Sequence, residues 1–238
     1  MFKGFLTTLL LLISTATLAS TSALVSALKE KAQTNNGEAS YHLGMLYNNG
    51  VGVDKSPAKA LEWFKTSAQQ DDPLGHYKLG CYYAGQFGQV EGLTLSPEKA
   101  LKHKMVAAEA GYSLAQYDVG AAMFRQGKTE ESLKWTHRAA EQGYPNALSA
   151  LAALYQQDGA PQYSDPKAYE ALLKIQSMVP ANAQLDSAIK AIGANLDEST
   201  RNSLQSELAD WQPSPSELTQ LAAAGLERAQ QVAGITSE

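Results

Sequence analysis

A chain of 238 residues with 44% hydrophobic and 18% charged residues can bury a substantial core in one elongated domain and is too polar for a membrane bundle. The formal net charge is -5 and no Lys/Arg cluster runs along any predicted helix face, which argues against duplex nucleic acid as a partner. One cysteine, Cys81, excludes an internal disulfide, so stability has to come from packing, and its apolar place in the sequence makes it a small core filler.

The chain opens with Lys3, an apolar run from Phe5 to Ile13, and small residues around Thr17, Leu18 and Ala19. This pattern predicts a signal peptide over residues 1–19, cut after Ala19 or alternatively after Ala23, and hence a periplasmic or secreted mature chain with no stable membrane insertion. An uncleaved anchor is the alternative, although the run falls short of the ~20 apolar residues that span a bilayer. No cysteine follows the run, so lipid attachment at a mature N-terminal cysteine is excluded.

From Ala39 to Tyr47 the sequence reads Ala-Ser-Tyr-His-Leu-Gly-Met-Leu-Tyr, and the string returns at Gly75, at Ala115 and, less faithfully, at Ala147. The spacings are 36, 40 and 32 residues. A second string carries Ala60-Leu61 with Ala68, Ala100-Leu101 with Ala108, and Ser132-Leu133 with Ala140, each beginning 15 residues before the next first string. All length variation therefore lies in the loop inside a helical hairpin, as stacked hairpins allow. Residues 20–38 place Leu24, Val25 and Ala32 at the offsets of Ala60, Leu61 and Ala68, which predicts a lone second helix over 22–35 capping the end of the stack.

Start signals fit this division. Ser56-Pro57, Ser96-Pro97 and Asp165-Pro166 set a capping side chain before a proline, and Thr129 with Glu130 and Glu131 serves the third hairpin. Gly50, Gly52, Gly85, Gly88, Gly92, Gly127 and Gly159 mark the loops. Beyond Pro180 helices are expected over Asn182–Ile192 and, with Asp197 as cap, Asp197–Trp211; Pro213 and Pro215 then break the chain. A last helix over Ser216–Val232 has Leu218, Leu221, Ala222 and Leu226 on one stripe, and is expected to dock weakly or not at all because a tail rich in Ala, Gln and Ser buries little; the alternative makes it a partner-binding element.

Three features together resemble the Sel-1-like repeat, a tetratricopeptide-type hairpin: the Ala-x-Tyr-x-Leu-Gly-x-x-Tyr string of Ala39 to Tyr47, the glycine loop from Gly50 to Ser56, and the Lys-Ala-Leu-x-Trp string of Lys59 to Trp63. The third hairpin also closes with the family-like Ala139-Ala140-Glu141-Gln142-Gly143. The resemblance covers residues 39–178, with a fourth hairpin that departs from it at Ala152, Tyr169 and Leu172, and leaves 179–238 as a C-terminal helical extension and tail. It implies an exported bacterial protein with an all-α fold: a right-handed α-solenoid of about four hairpins.

On each first helix, offsets one, four, five and eight from the leading Ala cluster on one side at 100° per residue and form the core; they hold Leu43, Gly44 and Tyr47. Offsets two, six and nine point elsewhere and, by resemblance to tetratricopeptide-type hairpins, line a concave groove. The candidate partner-binding residues are thus Tyr41, Met45, Asn48, Tyr77, Tyr117, Phe124 and Arg125. A tyrosine row offers large area with a polar tip; the alternative is that the tyrosines pack between adjacent first helices.

No catalytic or phosphate-binding motif appears, and no i, i+4 histidine pair with a carboxylate, so the four histidines read as packing or solvated groups and no cofactor or metal is expected. The favoured reading is a non-catalytic periplasmic scaffold that grips a peptide or protein partner. Two alternatives stand beside it. One is an immunity protein against a secreted toxic effector, a role some exported relatives play. The other is a hydrolase of cell-wall fragments or β-lactams, proposed for cysteine-rich family members whose regularly spaced cysteine pairs this chain lacks.

Overall fold

The computed structural model describes residues 21–180 and 182–235; the expected cut after Ala19 lies outside them. Twelve helices and no strand occur among the described residues. They are α1 over 21–33, α2 Gly37–Asn49, α3 Pro57–Gln69, α4 Pro73–Tyr83, α5 Pro97–Glu109, α6 Ser113–Arg125, α7 Thr129–Glu141, α8 Pro145–Tyr155, α9 Asp165–Met178, α10 Ala183–Gly193, α11 Glu198–Glu207 and α12 Glu217–Ala233. The all-α solenoid expected from the repeat is the observed fold. Within it the described residues divide into two compact units, those of 21–110 with 221–235, and those of 111–220.

In the first unit the hairpins α2/α3 and α4/α5 pair along their lengths, and α1 packs on α2. Leu24, Val25, Leu28 and Ala32 of α1 share one apolar cluster with Ala39, Leu43 and Leu46 of α2. The second unit holds hairpins α6/α7 and α8/α9, with α10 and α11 against α9. Its core joins Ala139 and Ala140 to Ala147, Leu148, Leu151 and Tyr155, and to Ala168 and Leu172.

Three hairpins close in the same way. The backbone N–H of Ser56, Ser96 and Ser164 donates to the carbonyl of Tyr47, Tyr83 and Tyr155 at 2.8, 3.0 and 2.8 Å. Each serine side chain then accepts from the backbone N–H three residues on, Lys59, Lys99 or Lys167, capping the second helix. The ammonium of that same lysine sits over the ring of the same tyrosine, at 5.5, 5.3 and 5.3 Å, a contact typically worth ~0.5–1 kcal/mol at an exposed site. The cap of α9 is therefore Ser164 and not Asp165, which lies in the first turn, where its charge favours the dipole. The third hairpin departs further: Lys128 holds the cap position of α7 with no side-chain cap bond, and Thr129 is already helical. Its shorter loop has no serine at the closing position, and Met123 stands where the other hairpins have tyrosine.

A glycine at offset five of the first helix is where each of the first three hairpins closes; the fourth has Ala152 there. A Cβ on Gly44 would lie 2.5 Å from the buried Phe64 ring, one on Gly80 2.9 Å from the Ala100 carbonyl oxygen, and one on Gly120 2.6 Å from Thr136 Oγ1. At Gly80 and Gly120 the partner helix brings its backbone this close, whereas Gly44 makes room for the Phe64 ring.

A glutamine clamps the turn between hairpins in both units. The Ser40 hydroxyl donates to Gln70 Oε1 at 2.6 Å, and Gln70 Nε2 donates to the Ala32 carbonyl at 3.0 Å. Gln142 Nε2 donates to Gln116 Oε1 and to the Gly111 carbonyl, both at 2.8 Å. Its Oε1 accepts from the Ser216 N–H at 2.9 Å and the Thr219 hydroxyl at 2.6 Å, tying the start of α12 to the second unit. Ala110 occupies the same offset between α5 and α6 and brings no amide.

The final helix docks through its end beyond a break, with a small apolar face and one ion pair, where the sequence predicts weak docking or none. Gly225, at φ 52 and ψ −117, breaks α12 into two pieces, so the stripe read along a continuous helix fails: Leu226 is 47% exposed. Beyond the break a different face, Ala229, Val232 and Ala233, is buried against Leu24, Val25, Leu28 and Leu43. Small side chains limit the area buried, and an ion pair from Arg228 to Glu38 adds to the contact.

Candidate functional site

The structure separates the seven candidate groove residues. Tyr117, Phe124 and Arg125 come together in the second unit, where with Ala121, Ala153 and Gln157 they line a pocket of about 450 Å³. The first helices α6 and α8 supply its two walls, and the buried Ser132 and Thr136 of α7 lie at its lining. Thr136 satisfies its hydroxyl by donating to the Ser132 carbonyl at 2.7 Å, so the pocket presents mostly carbon. Phe124 is 44% exposed, Tyr117 is half-buried against Tyr144 with ring centroids 5.2 Å apart, and Arg125 is exposed and the only charged residue of the lining. An apolar site of this size with one cation and an exposed amide suits an apolar side chain flanked by backbone or acidic groups.

Tyr41 and Tyr77 are buried. Tyr41 lies in an aromatic row with His42 and Phe64, centroids 5.1 and 6.2 Å away, and Phe64 continues to Tyr82 at 5.8 Å. Tyr77 packs beneath Lys78 and Lys104, at 5.9 and 5.7 Å from its ring. These two are covered within their own hairpins, Tyr41 by Phe64 of α3 and Tyr77 by Lys104 of α5, and not by packing between adjacent first helices. Tyr41 and Met45 also line a smaller cavity of about 140 Å³ beneath Leu226 and Ala229. Asn48 is half-buried, accepting from the Tyr82 hydroxyl at 3.2 Å and donating to Asn49 at 2.9 Å.

Three histidines have side-chain partners that the sequence did not reveal. His76 of α4 and His103 of α5 face each other, Nδ1 to Nδ1 at 2.9 Å, so one ring donates its Nδ1–H and the other accepts. Tyr83 stacks flat on His103 at 5.6 Å. Burial lowers the pKa of both imidazoles; Ala68, Asp71 and Asp72 oppose this at His76, while His76 itself, Lys102 and Lys99 add to it at His103. His137 meets the Tyr155 hydroxyl at 2.6 Å beside Lys174. Burial works against the Lys174 charge, but Glu141 at 2.8 Å and Glu170 at 3.0 Å outweigh it and raise its pKa. This polar cluster encloses about 20 Å³, room for one water. Among the described residues no group of three or more His, Cys, Asp or Glu is placed to hold a metal ion, and no helix is long and apolar enough to cross a membrane.

The Sel1 repeat matches residues 37–72, 73–112 and 113–144, repeats of 36, 40 and 32 residues, the same lengths as the spacings from Ala39 to Ala147. A crystal structure of a Sel1 repeat protein from Oxalobacter formigenes is similar with a TM-score of 0.58 and 27% identity, covering 71% of this chain and 48% of that one. An uncharacterized protein of Neisseria meningitidis serogroup B is 32% identical over 129 residues, 54% of this chain and 26% of that protein. A stretch of 42 residues, 17% of this chain, is 52% identical to 7% of the ERAD-associated E3 ubiquitin-protein ligase component HRD3B of Arabidopsis thaliana. The chain thus spans about a quarter or less of these curated relatives. With the hairpin register, the closing glycines and three matched repeats in agreement, residues 37–144 of this chain are Sel1-like repeats.

Proposed function

We propose that this protein is a non-catalytic interaction scaffold whose second unit anchors a peptide or protein partner in the pocket between α6 and α8. Sel1-repeat proteins generally serve as protein-interaction scaffolds. The observation that carries the reading here is the convergence of Tyr117, Phe124 and Arg125 on one apolar pocket of about 450 Å³. Aromatic and Arg residues at a concave site are the usual anchors of protein recognition. The partner places an apolar side chain against Phe124 and Ala121, with an acidic group within reach of Arg125.

Export belongs to the same proposal and rests on the sequence of residues 1–19; a mature N-terminus at Ser20, or at Leu24 for the alternative cut, is what N-terminal sequencing of the protein from its natural host should read. A narrower form of the scaffold reading is an immunity protein, in which the captured partner is a toxic effector. The test is capture from a periplasmic extract by the full chain and by Ala153→Arg, which fills the pocket from an exposed position. A partner retained by the native chain and lost with the filled pocket supports the site; equal retention removes it.

A further inference from the structure

The first unit carries a second interaction surface, and the chain itself shows what fits it. Beyond Gly225 the end of α12 lies on α1 and α2 as a short amphipathic helix, with Ala229, Val232 and Ala233 seated among Leu24, Val25, Leu28 and Leu43. Arg228 fixes its register: Nε donates to Glu38 Oε1 at 2.7 Å and a terminal guanidinium nitrogen to Glu38 Oε2 at 2.9 Å, the two-pronged pairing that a lysine cannot make. Glu38 keeps its charge here. Burial disfavours the ionised carboxylate, but the neighbouring His42 and Arg228 outweigh this and hold its pKa at about 2.

Several features mark this contact as replaceable. The segment is short, and a free helix of this length is marginal in water, so its ordering depends on the surface beneath it. Its apolar contacts come from two alanines and one valine. The fit is incomplete, since the cavity of about 140 Å³ bounded by Tyr41, Met45, Leu226 and Ala229 lies beside it. Gly225 stands in open space with nothing near its Cβ position, so the hinge itself is unobstructed.

We propose that the surface formed by α1 and α2 is a docking site for a helix of another protein, one that presents an Arg to Glu38 followed by small apolar residues spaced as Arg-Ala-x-x-Val-Ala, and that the chain's own C-terminal segment occupies this site and competes with it. The site lies within the first unit, and the proposal does not depend on the pocket of the second.

The test uses the full chain and a fluorescent peptide of residues 226–235. In the native chain the site is occupied, and apparent affinity is reduced by the fraction of molecules that are open. Arg228→Glu sets like charges face to face at Glu38 and releases the segment, so this variant should bind the peptide at least tenfold more tightly than the native chain. The double variant Glu38→Arg, Arg228→Glu restores the pairing in reverse and should bind the native peptide no better than the native chain does. Hydrogen exchange gives a readout that needs no variant: excess peptide should speed exchange at residues 226–233 of the native chain while α2 stays protected. Equal peptide binding by the native chain and Arg228→Glu, with exchange at 226–233 unchanged, overturns the proposal. So does a concentration-dependent dimer of Arg228→Glu that captures no peptide, because the site would then serve a second copy of the chain.

Discussion

His76 and His103 meet across the second hairpin with their Nδ1 atoms 2.9 Å apart, one ring from each helix. Burial lowers both pKa values from the ordinary 6.5, so below that pH the unfolded chain takes up protons that the folded pair resists. Stability therefore rises with pH through this region, is fully present above about 6.5, and is lost as pH falls below it. His103→Gln removes the pair and should reduce that dependence, leaving the part due to the buried His76 and His137. Urea unfolding midpoints of both proteins at several pH values make the comparison; parallel curves would show that the pair does not titrate with folding.

The glycine at offset five tests the closeness of a hairpin. Gly80→Ala gains up to ~1 kcal/mol of helix propensity, but its Cβ meets the Ala100 carbonyl and Lys104 Cγ, both at 2.9 Å. Carbonyl and helix axis have to move apart, and overpacking of this kind costs ~1–3 kcal/mol, so a net loss of up to ~2 kcal/mol is expected in urea unfolding. An unchanged or raised midpoint would mean that α4 and α5 are more loosely joined than their backbones indicate.

Within the pocket, Phe124 and Tyr117 separate binding from folding. Phe124 is 44% exposed, so Phe124→Ala should change stability by no more than ~0.5 kcal/mol while weakening partner capture by tenfold or more. Tyr117 packs on Tyr144, and Tyr117→Ala should lower both stability and capture. Circular dichroism melts run beside capture of the partner show whether the two effects part in this way.

Ser164 and Asp165 compete for the same role in the sequence, and only the serine caps α9. Ser164→Ala should cost ~1 kcal/mol, the usual loss for a side-chain cap. Asp165→Ala should cost less, since Asp165 is left with its charge near the helix start and its bonds from Gln156 and Tyr163 at 2.6 and 3.0 Å. Thermal melts of the two variants rank them directly.

What the sequence by itself determined was local and periodic. The strings from Ala39 to Ala147, the serine caps at Ser56 and Ser96, and loop glycines such as Gly50 and Gly127 act over a few residues, and together they set the helices and the hairpin register. Ser164 was also legible, through its spacing from Tyr155, which equals that of Ser56 from Tyr47. Tertiary structure decided which tyrosines are covered: Tyr41, Tyr77 and Tyr117 share an offset, yet the first two are buried and the third opens on a pocket. It also decided the pairing of His76 with His103 and of Glu38 with Arg228, 190 residues apart. Helical periodicity assigns a residue to a face. What lies against that face depends on how neighbouring helices close and on a single backbone break at Gly225, and neither is written in the spacing of one helix.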